Sequence, residues 1–236
     1  MPTREDIVLL ARYNAGMNRK LYDAAARLPP DELSADRKAF FGSLLGTMNH
    51  LVAGDTIWLM RFALHPAAFR ALDALRAAPI PTDLRQTYGD SLEALVAHRT
   101  RLDAIIGALA AELRDADLDQ VLVYRNSRGV EFRRHFGSLL LHFFNHQTHH
   151  RGQASTLLTQ AGVDIGVTDL LELIGEAGLP EADGYWPAGG SHSSTLLPSG
   201  STTQPNLPYS ESSVLSSTLH PSSRSTCSSA ARSCTR

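Results

Sequence analysis

Cysteine is almost missing from this chain. Its two copies, Cys227 and Cys234, both fall in the last ten of 236 residues. No disulfide framework is therefore implied, no thiol nucleophile lies in the main body, and a reducing cytoplasm is the expected compartment. Long apolar runs are missing too: none reaches the roughly 18 to 20 residues needed to span a bilayer. The opening Met1-Pro2-Thr3-Arg4-Glu5-Asp6 lacks secretory-signal character, because acids follow at once. An excess of charge of one sign is also lacking, with 22 Lys and Arg against 24 Asp and Glu. That balance leaves no footprint for nucleic acid or an anionic membrane, so neither is expected as a partner. No P-loop, Gly-rich dinucleotide fingerprint or Ser-His-Asp arrangement occurs.

What the chain does have is histidine, unevenly placed. Five of its ten histidines lie between His135 and His150. They sit in an apolar pattern of helical spacing: Phe136, Leu139, Leu140, Phe143, Phe144, then Ala154, Leu157 and Leu158. Residues four apart lie one turn apart on a helix face, so His146 and His150 project side by side at the edge of the apolar stripe. Two imidazoles at that spacing can share one divalent metal. A lone histidine on a bundle helix is more commonly a hydrogen-bonded structural residue, so a third ligand decides the matter.

The rest of the chain reads as helices. Residues 5–28 carry apolar positions at helical spacing and stop at Pro29-Pro30. A second helix is predicted over 38–63, with Phe40, Phe41, Leu44, Leu45, Met48, Leu51, Val52, Ile57, Trp58 and Leu59 as its buried stripe. His50 lies beside that stripe, with Gly46 and Gly54 one turn away and Ser43 and Thr47 near the same face. Small neighbours leave room for a helix, a metal or a ligand to approach, which makes His50 the candidate third ligand. Prolines 66, 79 and 81 break a connector that holds a short helix near 67–76. A third long helix is predicted over 84–113, with Val96 among its apolar face, then a small hairpin about Arg125 to Gly129. The fourth long helix spans 134–161, with Gly162 at its C-terminal cap, and a short helix follows over 169–176. The expected fold is all-α, a four-helix bundle with a crossover connection, a small β-hairpin before the last long helix and a disordered C-terminal tail.

Around this site the remaining polar residues are weaker candidates. His142 lies one turn below His146, while His149 points to another part of the surface. Gln153, one turn after His150, is placed to hydrogen-bond a metal water or a substrate and is the one candidate for a direct chemical role. Arg151 is expected to form an intramolecular ion pair. Asn49, Asn145 and Asp55 are candidates for orienting the ligand imidazoles, with ordinary surface polarity as the alternative. Trp58 is read as core.

Asn49-His50 with Trp58 eight residues on, the block His146-x-x-x-His150-Arg151-Gly152-Gln153, and the opening Arg12-Tyr13-Asn14 together resemble the DinB (damage-inducible, YfiT-like) family, over roughly residues 5–175. The resemblance implies a DinB/YfiT-like bundle in which His50, His146 and His150 bind one divalent metal, zinc or nickel. It also implies a small-molecule substrate, and relatives of this fold include transferases and isomerases that use low-molecular-weight thiols such as mycothiol and bacillithiol. With no cysteine in the main body, any thiolate has to come from a cosubstrate. The expected function is a metal-dependent enzyme, hydrolase or thiol S-transferase in type, acting in the cytoplasm with a homodimer as the expected assembly. The alternatives are a non-catalytic metal-binding or stress-response interaction protein and a purely structural bundle.

The expected domain is 1–188, with a tail over 189–236. Beyond Gly189 the chain is nearly half Ser and Thr and has no amphipathic period. Such a segment cannot bury enough apolar surface to offset the entropy of ordering it. It resembles out-of-frame or read-through sequence more than a selected linker. Truncation at Gly189 should leave the melting temperature and the metal content of the purified protein unchanged. A large loss of stability would show that the boundary is misplaced.

Overall fold

The computed structural model describes residues 1–77, 87–126 and 128–174. Helix α1 (Arg4–Ala25) begins where the Thr3 hydroxyl accepts the Asp6 N–H and the Asp6 carboxylate accepts the Thr3 N–H, a reciprocal cap. Pro30 opens the short α2 (Pro30–Ser34), a position where a missing N–H costs nothing. The Ser43 hydroxyl accepts the Gly46 N–H to start α3 (Leu44–Phe62). A 3-10 turn, Arg70–Leu72, runs into α4 (Asp73–Arg76), and α5 (Leu92–Glu112) is capped by Ser91. Then come α6 (Asp115–Leu118) and the antiparallel strands β1 (Val121–Arg125) and β2 (Glu131–His135), with Val121 opposite His135. Helix α7 (Phe136–Gln160) follows directly. It ends with Gly162 at a φ of 77°, while the Gly162 and Val163 N–H groups return to the carbonyls of Thr159 and Leu158. That left-handed turn favours glycine.

The four long helices do not pack in chain order. Helix α1 packs mainly against α5 and α7, and α3 packs against the same two, so α1 and α3 face each other across the diagonal. Leu21, Met48, Phe62, Leu95, Phe143 and Leu158 are among the side chains that fill the centre. Charge enters this core as well. The Arg99 side chain of α5, 4% exposed, meets Asp55 of α3 at 2.5 Å and Asp103 at 3.0 Å. Asp103 accepts hydrogen bonds from the Asn18 and Asn14 amides of α1 at 2.9 and 3.4 Å. The carbonyl oxygens of the same two amides accept from the Arg151 guanidinium of α7. One polar network therefore threads all four long helices.

Burial raises the Asp55 carboxyl to about 6, against the pull of Arg99. Burial also opposes the Arg99 charge, but Asp55 and Asp103 outweigh it and hold the guanidinium charged. Desolvating such ions costs several kcal/mol each, so this network adds little net stability. It penalises every helix register that would leave one member unpaired.

Several boundaries differ from the sequence reading. The second predicted helix starts at Leu44 rather than 38. Residues 38–43 form a turn in which Lys38 and Gly42 both take positive φ and Ala39 bridges Gly42. Phe40, expected in the buried stripe, is 76% exposed on that turn. The fourth helix starts at Phe136 because Arg134 and His135 complete β2. Val96, expected on the apolar face of α5, is exposed, and Arg99 is buried instead. The third predicted helix starts at Leu92 rather than 84, with 87–91 non-helical and Ser91 as its cap, while residues 84–86, 175–176 and the tail over 189–236 lie outside the described residues. Among the described residues no helix is long and apolar enough to cross a membrane.

Replacing Arg99 with Met should destabilise the bundle by about 3–5 kcal/mol in urea unfolding, because the Asp55 and Asp103 charges lose their partner. Adding Asp55→Leu to that variant should recover most of the loss. A single variant as stable as the parent would show that the ion pair does not constrain the fold.

Candidate metal centre

The i, i+4 pair on α7 and His50 on α3 meet because those two helices are neighbours in space. The Nε2 atom of His50 lies 3.3 Å from Nε2 of His146 and 3.2 Å from Nε2 of His150. All three histidines offer a ring nitrogen within 4.8 Å of one another. The nitrogens of a tetrahedral zinc site stand roughly 3.4 Å apart at the usual bond length, so the spacing fits one cation. A single proton on His50 Nε2 serves both neighbours only as a bifurcated bond. One divalent cation could accept a lone pair from each.

Local packing accounts for this convergence. A side chain at Gly54 would place its Cβ 2.9 Å from Cε1 of His146, so glycine is what lets that ring lie against α3. The Phe41 ring stacks on His50 with centroids 3.9 Å apart and planes at 18°, and meets His150 edge-on at 5.5 Å. It closes one side of the cluster to water. The Gln153 carbonyl oxygen lies 2.8 Å from Nδ1 of His150. An Nδ1–H donated to that oxygen leaves the Nε2 lone pair facing the other two rings.

The site also favours neutral imidazoles, the form that ligates metal. Burial, then the neighbouring His150 and His50 rings, push His146 down to about 3. Burial lowers His150 as well, opposed by its bond to Gln153. The cluster is not sealed, since His146 and His150 are half-buried and His142 and His149 are exposed beside them.

Other sequence candidates lie elsewhere. Asn49 does not touch an imidazole: its carbonyl oxygen accepts the Tyr88 and Gly89 N–H groups at 2.7 and 3.1 Å, pinning the approach to α5. Asp55 is bound to Arg99. Among the described residues Arg151 forms no direct ion pair. It hydrogen-bonds the neutral Asn14 and Asn18, because α1 offers amides where the carboxylates lie one step further off. Asn145 is exposed. Trp58 is only partly buried and meets the His142 ring edge-on at 5.0 Å. Phe41 was assigned to a helix stripe, and its role at His50 had no sequence signal, because it depends on the turn before α3.

The comparisons with known proteins point the same way. No curated protein and no solved structure gives a significant match. The model of the DinB family matches residues 1–182, a span that includes α1, α3, α5, α7 and all three clustered histidines. A helical bundle carrying a three-histidine cluster fits a metal-binding protein of that kind, and the chain belongs to the DinB family.

Proposed function

We propose that His50, His146 and His150 hold one divalent cation, zinc or nickel, and that the protein is a metal-dependent enzyme. Its reaction is the activation of water or a low-molecular-weight thiol cosubstrate, in the manner of a hydrolase or thiol S-transferase. The observation that carries this reading is the convergence of three Nε2 atoms, two of the gaps measuring 3.2 and 3.3 Å. Three neutral imidazoles leave coordination positions open, the pattern of catalytic rather than closed structural sites. A divalent ion supplies the Lewis acidity that makes a water or thiol nucleophilic near neutral pH.

The chain's own residues do the rest. Gln153 fixes the His150 tautomer, so its role is to position a ligand rather than to touch substrate. Phe41 excludes water behind His50, and the exposed His142 and His149 leave the opposite side accessible. No cysteine lies among residues 1–226, which supports a thiol that arrives with a cosubstrate.

The direct test is elemental analysis of the purified parent and His50→Ala proteins. About one divalent ion per chain is expected in the parent and little in the variant, with the bundle still folded because its core is untouched. Turnover of thiol or ester substrates should vanish with the metal. A parent melt that collapses on chelation, with no thiol or ester ever turned over, would move the assignment to a non-catalytic metal-binding protein.

The pH dependence has a definite sign. His146 titrates at about 3 in the folded chain and near 6.5 when unfolded, so protons bind the unfolded state more readily. Its contribution to stability is intact above about 6.5 and is lost as pH falls from there toward 3. Metal retention should weaken in the same direction, because protons compete for the same lone pairs. Urea midpoints measured in chelator between pH 7.5 and 5 should fall with pH, and His146→Gln should flatten the slope. A parent midpoint independent of pH would contradict the buried neutral imidazole.

A further inference from the structure

The α3–α7 groove does not end at the three histidines. Along α7, Ser138, His142, His146 and His150 follow one another at four-residue steps, and on α3 the face of His50 and Gly54 continues to Trp58. The His142 ring lies 6.2 Å from that of His146 and 5.0 Å from that of Trp58. Beyond them opens a cavity of about 360 Å³ lined by Trp58, Tyr124, Arg134, Ser138, Leu139 and His142. Its walls are aromatic and its charge is of one sign. No acid lines it, and Arg134 has no carboxylate partner among the described residues, its guanidinium standing 5.4 Å from the Phe132 ring.

A second cation sits behind the aromatic walls. The Arg61 guanidinium lies 4.8 Å from the Trp58 ring centroid and 5.4 Å from that of Tyr124. Arg61 is 9% exposed, and its Nε has no hydrogen-bond partner. No ion pair joins it to an acid among the described residues. Ring faces stand against this guanidinium and its Nε is shut from water without a partner, so it keeps positive charge beside the aromatic wall that an anion would complement. Helix α7 adds to the same field, since its first turn has no side-chain cap and no acid, and Ser138 and Leu139 of that turn line the cavity. Arg61 and Arg134 also both act on His142, holding its pKa below the ordinary value after the larger effect of burial.

We propose that this cavity is the anion subsite of the α3–α7 groove, and that it binds the carboxylate of an apolar or aromatic organic acid whose other end reaches the three-histidine cluster. Arg134 makes the charge-assisted contact, Arg61 adds positive field from behind the aromatic wall, and Trp58 and Tyr124 hold the apolar body. Calling the ligand a substrate rests on the metal reading above. The binding itself does not require it.

Trp58 is a built-in reporter once the other tryptophan is removed. The full chain carrying Trp186→Phe is titrated with phenylacetate and with neutral phenylacetamide, following Trp58 fluorescence in zinc-loaded and metal-free protein. Phenylacetate should quench saturably and bind at least about ten-fold tighter than the amide, the factor expected for one charge-assisted hydrogen bond. Arg134→Gln, on an exposed strand position, should abolish that preference without changing the circular dichroism spectrum. His50→Ala should leave phenylacetate affinity within about two-fold while losing metal. Equal binding of acid and amide would overturn the proposal, as would a preference that survives Arg134→Gln. Acid binding that disappears with His50→Ala or with the metal would overturn it too, because the carboxylate would then be ligating the metal. If His50→Ala keeps its metal while Arg134→Gln loses the preference, the metal reading fails and the anion subsite stands.

Discussion

Arg99 carries its charge into the core with a side chain only 4% exposed, and the bundle is arranged to answer that charge. Asp55 reaches it from α3, Asp103 from one turn along α5, and the amides of Asn14 and Asn18 relay the contact to Arg151 on α7. Apolar stripes alone tolerate sliding and rotation of one helix past another. A network of charges and amides does not, because each slip leaves a desolvated group unpaired at a cost of several kcal/mol. Its position matters for function. Asp55 lies five residues after His50 on α3, and Arg151 follows His150 on α7, so the contacts that set helix register also set the approach of the ligand rings.

Fixing two neighbouring helices makes the rest of the site a matter of side-chain volume. Gly54 supplies the space that His146 occupies. Phe41 caps His50 from a turn that exists because Ser43 starts the helix late and Gly42 takes a left-handed conformation. Gln153 selects the His150 tautomer. Each group aims a nitrogen lone pair without supplying one. That division, with candidate ligands on two helices and supports from the next turn or the next segment, is how a site becomes preorganised.

The groove between α3 and α7 then has two chemically distinct ends. At one, three imidazoles converge, and burial holds His146 and His150 below the ordinary histidine range. At the other, Arg134 lines an aromatic-walled cavity, Arg61 stands behind its Trp58 and Tyr124 walls, and no acid among the described residues lines it. His142 stands between them, in contact with Trp58 and one turn from His146. If the three histidines hold a cation and the cavity takes an anion, the pair would suit a small molecule with one reactive and one charged end.

Much of this was legible in the chain. The apolar periods gave four long helices, the switch to alternating Val121 to Tyr124 gave the hairpin, and Gly162 marked the end of the last helix. The His146–His150 step and the small residues around His50 drew attention to the three histidines that the fold brings together. Arg99 stands at a stripe position between Leu95 and Leu102, and the sequence reading assigned it no role. Other features were illegible in principle. Helical periodicity gives each helix an inward face but not its neighbour, and only tertiary packing placed α3 beside α7 with α1 across the diagonal. That choice put His50 against His146 and His150, stacked Phe41 on the cluster and brought β1 and α7 together with Arg61 and Arg134. These contacts join residues up to 109 positions apart, and their partners are selected by the volume and charge balance of the whole core rather than by any local pattern.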